Sequence, residues 1–334
     1  MQRPPLLIPY LILIPAALLA AWAGLMTGSY DLAPGELLRI LAGGPHPQAD
    51  VVLSIRLPRL VQAFATGAAL ALGGILMQAL LRNPLAEPYI MGLTAGAGLG
   101  VNLLILGIIP VAGYTLFTYP LFAAAGGALS LMLVIGLGQR SLHEDNARLL
   151  IAGVAVSAIC TALSGLLIYL TADSDQIRQV VFWSFGSFGK ATGAGAWTGM
   201  VLAALGVLAS WMLGPALDVL ALGAEPAASL GMRVARVRAG VIALAALVTG
   251  GVVAFAGPVG FVGMIVPHVA RAWIGGTHRR YLAPACVMGG TYLTACDWLS
   301  RLLLPPAGLP IGIVTALLGA PFFIFLLFSR RRTV

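Results

Sequence analysis

Charge is what this chain has least of. Charged side chains make up 9% of its 334 residues, 19 basic and 11 acidic, where a water-soluble domain carries about 25%. So few cannot clothe a water-facing surface, which excludes a soluble enzyme, a secreted disulfide scaffold and a disordered chain. Lysine is nearly absent: Lys190 is the only one, against 18 arginines. The three cysteines, Cys160, Cys286 and Cys296, all fall in apolar runs. Cys286 and Cys296 are ten residues apart, about 15 Å along a helix, beyond the reach of a disulfide. They read as buried free thiols. The four histidines, His46, His143, His268 and His278, have no metal-ligand spacing, and H-E-x-x-H does not occur. The basic residues are scattered between apolar runs, so the net charge of +8 gives no nucleic-acid surface.

What the chain does have is apolar length. Hydrophobic residues are 60% of the total and mean hydropathy is +0.98. At roughly 20 residues per crossing, this allows up to ten membrane helices. The runs are continuous rather than alternating, which excludes an outer-membrane barrel. Spans are expected near 6–26, 60–80, 92–109, 115–138, 148–170, 194–214, 239–257, 261–275, 282–300 and 310–328, the first retained as a span rather than cleaved and the eighth short. A polar connector is expected over 31–56. Small residues cluster within the spans, as at Gly67, Ala71, Gly73 and Gly74, and at Gly92, Gly96 and Gly100, where they permit close helix approach.

The positive-inside rule favours both termini in the cytoplasm. That orientation places Arg3, Arg82, Arg140, Arg148, Arg233, Arg236, Arg238, Arg271, Arg279, Arg280, Arg330, Arg331 and Arg332 inside, against Arg39, Arg56, Arg59, Arg178, Lys190 and Arg301 outside. No run outside the membrane is long enough for a soluble domain, so residues 1–334 read as one transmembrane domain.

Two kinds of chemistry are missing. A phosphate-binding loop needs G-x-x-x-x-G-K-[ST]. At Lys190 the upstream glycine position is Ser184 and the following residue is Ala191, so the motif fails twice. An ion-coupled carrier places ionisable groups at mid-membrane. Here Asp297 is the main candidate, and Arg301, four residues on, shares its helix face. The pair reads as self-neutralised, which argues against a secondary carrier.

Two segments invite partners. In the inner loop between the sixth and seventh spans, Glu225 and Pro226 suit a helix start and Gly231 a helix end. The short helix would expose Leu222, Leu230 and Met232, fitting either a lipid surface or a docked protein. On the outer side, Arg56 and Arg59 stand three apart at the expected start of the second span. They suit either interfacial snorkelling or, with Arg301, capture of a partner's carboxylates.

Several ordered stretches resemble the FecCD-type permeases, the membrane subunits of ABC importers for iron chelates, heme and cobalamin. These are Arg56-Leu-Pro-Arg59, Gly74-Ile-Leu-Met-Gln78 followed by Arg82-Asn-Pro-Leu-Ala-Glu-Pro88, Gly92-Leu-Thr-Ala-Gly96, Leu222-Gly-Ala-Glu-Pro-Ala-Ala-Ser-Leu-Gly231, Gly257-Pro-Val-Gly-Phe261 through Pro267-His268-Val-Ala-Arg271, Asp297 with Arg301, and Pro310-Ile-Gly312 through Pro321-Phe-Phe323. The likeness runs over about 30–330. It implies an all-α, polytopic type II ABC importer permease fold with about ten transmembrane helices, in a homodimer whose two-fold axis is lined by the fifth and tenth spans. It implies a bacterial inner-membrane protein that is not itself an enzyme. Two cytoplasmic ATPase subunits, which hold ATP and magnesium, would dock on the 218–238 loop. The docking residues would be Asp218, Leu222, Gly223, Glu225, Pro226, Ser229, Leu230 and Gly231. A periplasmic binding protein would meet Arg56, Arg59 and Arg301. Relatives often carry Glu where Gly308 stands, which bears on a local contact near Pro310. His268, in its Pro-His-x-x-Arg setting, reads as structural. The stretch Gln176-Ile-Arg178 with Phe182-Trp183 and Gly186-Ser187 resembles the heme-importing branch, so heme is the expected cargo. A ferric siderophore or cobalamin is the alternative. Arg178 would stand at the entrance. No cofactor would be bound by the chain itself.

Overall fold

The computed structural model describes residues 5, 7–28, 30–111, 113, 115, 117–138, 146–305 and 308–329. His143 lies outside the described residues, as do Arg3, Arg140, Arg330, Arg331 and Arg332 of the expected inner set of charges. Among the described residues the fold is helical throughout, without a strand.

The helices follow in chain order: α1 (Leu7–Met26), α2 (Pro34–Leu41), α3 (Ala49–Val51), α4 (Leu57–Leu81), α5 (Leu93–Ile105), α6 (Thr118–Gly138), α7 (Asn146–Thr171), α8 (Ser174–Ser184), α9 (Gly193–Met212), α10 (Gly214–Leu222), α11 (Ala224–Ser229), α12 (Val234–Ala256), α13 (Val262–Trp273), α14 (His278–Leu303) and α15 (Ile311–Ser329). All ten expected apolar segments are helical. Among the described residues six are long and apolar enough to cross a membrane: Leu7–Met26, Ala49–Leu81, Thr118–Leu137, Arg148–Thr171, Gly193–Met212 and Val234–Ala256. The eighth span is short, as expected, and the third comes out short as well. The α5 helix has 13 residues and α13 has 12, about 20 and 18 Å of rise against a hydrocarbon core of about 30 Å. Six crossings rest on length and apolarity, and the count of ten does not.

The hub is α4, buried along most of its length. It packs against α14, α9, α12, α13 and α1. Its small residues make this possible. A Cβ at Gly67 would collide with the Gly289 carbonyl of α14, and one at Gly74 with the Gly263 carbonyl of α13. Helices that meet at glycines gain close backbone packing, the main attraction available where lipid removes the hydrophobic drive.

The short helices have a common cause. After α4 ends at Arg82 in the left-handed conformation (φ 49°), the chain folds back along the same helix. Pro88 reaches Gly73, eight residues and about 12 Å before the end of α4. Only then does α5 start, after Gly92 (φ 76°). Likewise α13 starts beside Gly74 after Phe261 (φ 70°), an unusual conformation for a bulky residue. Gly319 of α15 leaves room for the Phe261 ring. The two turns meet: the Tyr89 hydroxyl donates to the Val259 carbonyl and accepts from the Val259 N–H at 2.7 Å. Irregular backbone at membrane depth is thus buried in protein, where its polar groups find partners.

The 31–56 connector is also more ordered than expected. It forms α2, α3 and a π-helical turn, Val52–Arg56, that runs into α4. Leu32, Leu37, Ile40 and Val52 bury themselves with Leu25 at the end of α1. The three cysteines are free and buried, as expected.

Candidate functional site

The α8 and α10–α11 segments lie at opposite ends of α9, whose 20 residues rise about 30 Å. The first candidate region is at the α8 end. Arg56 and Arg59 stand three apart where a helical turn runs straight into α4, yet their side chains part to different partners. Arg56 is buried and donates to the carbonyls of Leu25 (2.7 Å), Met26 (3.1 Å) and Tyr30, so it caps the C-terminus of α1, where a cation is favoured. Arg59 instead crosses to α14 and clasps Asp297 through Nε (3.0 and 3.1 Å) and Nη2 (2.8 Å). Side-chain exposure is 18% for Arg59 and 3% for Asp297. Arg301 stands 3.4 Å from Asp297 and donates to the carbonyls of Gly24 (3.0 Å) on α1 and of Thr27 (3.1 Å) just past its end. The expected Asp297–Arg301 pair is therefore present, but Arg59 is the closer partner. Sequence spacing gives no sign of that partner, 238 residues away. The three arginines bind α1, α4 and α14 into one unit.

Beside this unit lies a cavity of about 830 Å³, lined among others by Arg59, Tyr119, Arg178, Trp183, Lys190 and Phe255. One wall is α8. Asp173 caps it, accepting from the N–H groups of Asp175 (2.9 Å) and Gln176 (2.7 Å) while Gln176 reaches back to the Asp173 N–H (3.1 Å), a capping box readable in the sequence. Arg178 is exposed and pairs with Asp175 at 2.7 Å, one turn earlier on the same helix. The turn after α8 ties three elements together: Ser187 N–H donates to Ala256 O (2.8 Å), Ile311 N–H to Gly186 O (3.2 Å) and Gly312 N–H to Phe185 O (2.9 Å). Gly186 (φ 68°) is required there, since a Cβ would strike the Pro258 carbonyl. Gly308 also lines the cavity and is left-handed (φ 74°). Glutamate at that position would be strained.

The second candidate region is the α10–α11 end. The expected single helix is two: α10 ends at Gly223 (φ 121°) and α11 follows, with Pro226 third in the helix rather than first. Gly231 is left-handed (φ 82°) just past the end, as expected. Leu222 and Leu230 are 64% and 67% exposed, and Glu225, Pro226 and Ser229 are exposed too. Met232 departs from expectation, being half-buried against the core. Asp218 turns inward. It accepts from the His278 N–H (3.0 Å) and lies 2.6 Å from His278 Nδ1, so it caps α14. Among the described residues His278 Nε2 is buried without a hydrogen-bond partner, and the carboxylate facing Nδ1, which can only accept, calls for a proton there. Burial lowers the imidazole's pKa, against the opposing pull of Asp218. One residue on, Arg279 Nε donates to Trp211 O (3.0 Å), and its guanidinium stacks 4.7 Å from the Trp211 ring centre. The α10–α11 surface is therefore clamped to α14. Other residues of the quoted stretches also serve packing. Gln78 links Gly263 O (3.3 Å) to Arg271 (3.3 Å), and the His268 ring meets Phe322 edge-on at 6.2 Å.

The architecture defines a multi-pass helical membrane protein with an exposed, braced helix pair at one end and a mixed aromatic and cationic cavity at the other. The chain belongs to the FecCD transport family, whose model matches residues 16–329, and it is an ABC importer permease. It is 38% identical over 283 residues to the hemin transport system permease protein HmuU of Yersinia pestis, covering 84% of this chain and 83% of that one. It is 39% identical over 319 residues to the vitamin B12 import system permease protein BtuC of Salmonella typhimurium, covering 94% and 93%. Among solved structures, the inward-facing conformation of a metal-chelate type ABC transporter superposes with a TM-score of 0.85 at 31% identity, over 96% of this chain and 99% of that one. PsaBC from Streptococcus pneumoniae shares the fold at a TM-score of 0.58 and 15% identity, over 86% and 94%.

Proposed function

We propose that this permease imports heme across a bacterial inner membrane, as a homodimer, by alternating access. Two separate ATPase subunits supply the energy and a periplasmic protein delivers the cargo. The observation that carries the cargo reading is the cavity at the α8 end: aromatic walls of Trp183, Phe182 and Phe255 with Arg178 beside them suit a flat apolar body bearing carboxylates. The hemin permease relative points the same way. A vitamin B12 cargo is the second reading, favoured by a relative that covers more of both chains.

The ATPase subunits dock on the exposed Leu222, Glu225, Pro226, Ser229 and Leu230, with Gly223 and Gly231 setting the turns and Asp218 bracing the surface from behind. Movement of this pair reaches α14 through the Asp218–His278 clasp. Both chain termini lie on this side. At the opposite end the binding protein's carboxylates meet the Arg56, Arg59 and Arg301 unit, in competition with Asp297 and the α1 carbonyls.

The test is uptake into proteoliposomes containing this chain and its ATPase, with the binding protein outside and an apo heme-binding protein trapped within. Hemin arrival, read from the Soret band, should require both ATP and the binding protein. Cyanocobalamin uptake in place of hemin would transfer the assignment to the second reading. Leu230→Asp should abolish coupled ATP hydrolysis while the chain remains membrane-inserted; full uptake by that variant would overturn the docking assignment.

A further inference from the structure

The cavity beside α8 holds a cation that the importer reading leaves without a task. Lys190, the chain's only lysine, lies in the turn between α8 and α9 and lines the cavity. Its Nζ stands 6.0 Å from the Tyr119 ring centre. The other lining cations each face a carboxylate: Arg59 faces Asp297 at 2.8 Å and Arg178 faces Asp175 at 2.7 Å. Among the described residues, no carboxylate lies within ion-pair distance of Lys190. The lining thus carries positive charge in excess of its own carboxylates.

Its surroundings make that excess usable. A cavity of about 830 Å³ falls in the size range of small-molecule sites, about 300–1,000 Å³. Lys190 and Arg178 are both exposed, so water screens their charge and the aromatic surface supplies the rest of the hold. The Arg178–Asp175 pair is highly exposed, and pairs of that kind hold weakly, so an incoming anion can draw Arg178 toward it.

We propose that Lys190, with Arg178, forms an anion-binding site within each subunit, and that its occupant is a small molecule with a bulky apolar body and at least one carboxylate. The aromatic walls hold the body and the two cations hold the carboxylate. That the occupant is the transported molecule rests on the importer reading; the anion site itself does not.

The single lysine provides the probe. The purified full-length chain in neutral detergent is treated with an amine-acetylating reagent, and modification of Lys190 is followed by peptide mass spectrometry. Protoporphyrin IX should slow acetylation of Lys190 at least tenfold. Its dimethyl ester, which differs only in the two blocked carboxylates, should bind at least tenfold more weakly in a porphyrin absorbance titration. Lys190→Gln should reduce the acid to the affinity of the ester, and Lys190→Arg should restore most of it. Equal binding of acid and ester overturns the proposal, as does protection of Lys190 by phosphatidylglycerol equal to that by the acid, which would mark a lipid headgroup site. The two readings fail separately. ATP-driven hemin uptake with Lys190 unprotected leaves the importer standing and removes the anion site. Protection without uptake keeps the anion site and removes heme as cargo.

Discussion

Asp297 shows how a carboxylate survives in an apolar helix bundle. It is 2% exposed, and burying it alone would be prohibitive. Arg59 grips both its oxygens and Arg301 stands behind. Removing one partner of such a pair costs about 3–5 kcal/mol, because the other charge is left buried. Arg59→Ala leaves Asp297 with Arg301 at 3.4 Å, so it should lower stability by less than that amount in thermal unfolding of the detergent-solubilised protein, while the double change Arg59→Gln with Asp297→Asn should recover much of the loss. Additive losses in the double variant would contradict the pairing. Arg56 works differently, since its partners are backbone carbonyls at the end of α1. Arg56→Gln should free that helix end and speed protease cleavage within 28–48, with little effect elsewhere.

At the scale of elements, glycine contacts and one clasp set the arrangement. Gly74→Leu should prevent α13 from seating on α4, because a single added carbon already meets the Gly263 backbone. Gly35→Leu is the control, with nothing within 4 Å of its added carbon. Yield of folded, monodisperse protein by size exclusion should fall sharply for the first and hold for the second. The α10–α14 clasp carries a pH dependence. Burial lowers the pKa of His278 in the folded chain, below the ordinary histidine value of about 6.5. The unfolded chain then binds a proton first, so the stability from burying the neutral imidazole is complete above about pH 6.5 and declines as pH falls from there toward the lower folded-state pKa. Unfolding measured between pH 8 and 5 should show this decline, and His278→Gln should flatten it.

For the whole molecule, the packing is uneven. The core follows α4, whereas α7 leaves Ile151, Ile159, Leu163, Leu166 and Leu170 exposed. Lipid or a second copy must cover that stripe. If α7 lines a two-fold axis, Leu166→Cys should give disulfide-linked dimers on mild oxidation in membranes. Leu11→Cys, on the exposed face of α1, should not. Monomer in both cases would overturn the expected dimer geometry.

The class of protein is legible in the sequence alone. Sparse charge and long apolar runs force a membrane bundle, because lipid demands helices whose backbone satisfies itself. The capping box of α8, the left-handed Gly231 and the small-residue contacts are local features, so local sequence carries them. Other features depend on which surfaces meet. The half-length of α5 and α13 follows from turns folding back onto Gly73 and Gly74, and hydropathy along the chain cannot register such a return. The partner of Asp297 lies on another helix, and Asp218 is a brace because α14 starts where α10 passes. Lys190 reads only as a failed phosphate loop until the fold sets it in the lining of the cavity that Arg178 also lines. Composition and periodicity determine the solvent and the elements. The pairing of distant charges and the shape of a cavity are decided by tertiary packing, because side chains far apart in the chain interact only once the helices between them have docked.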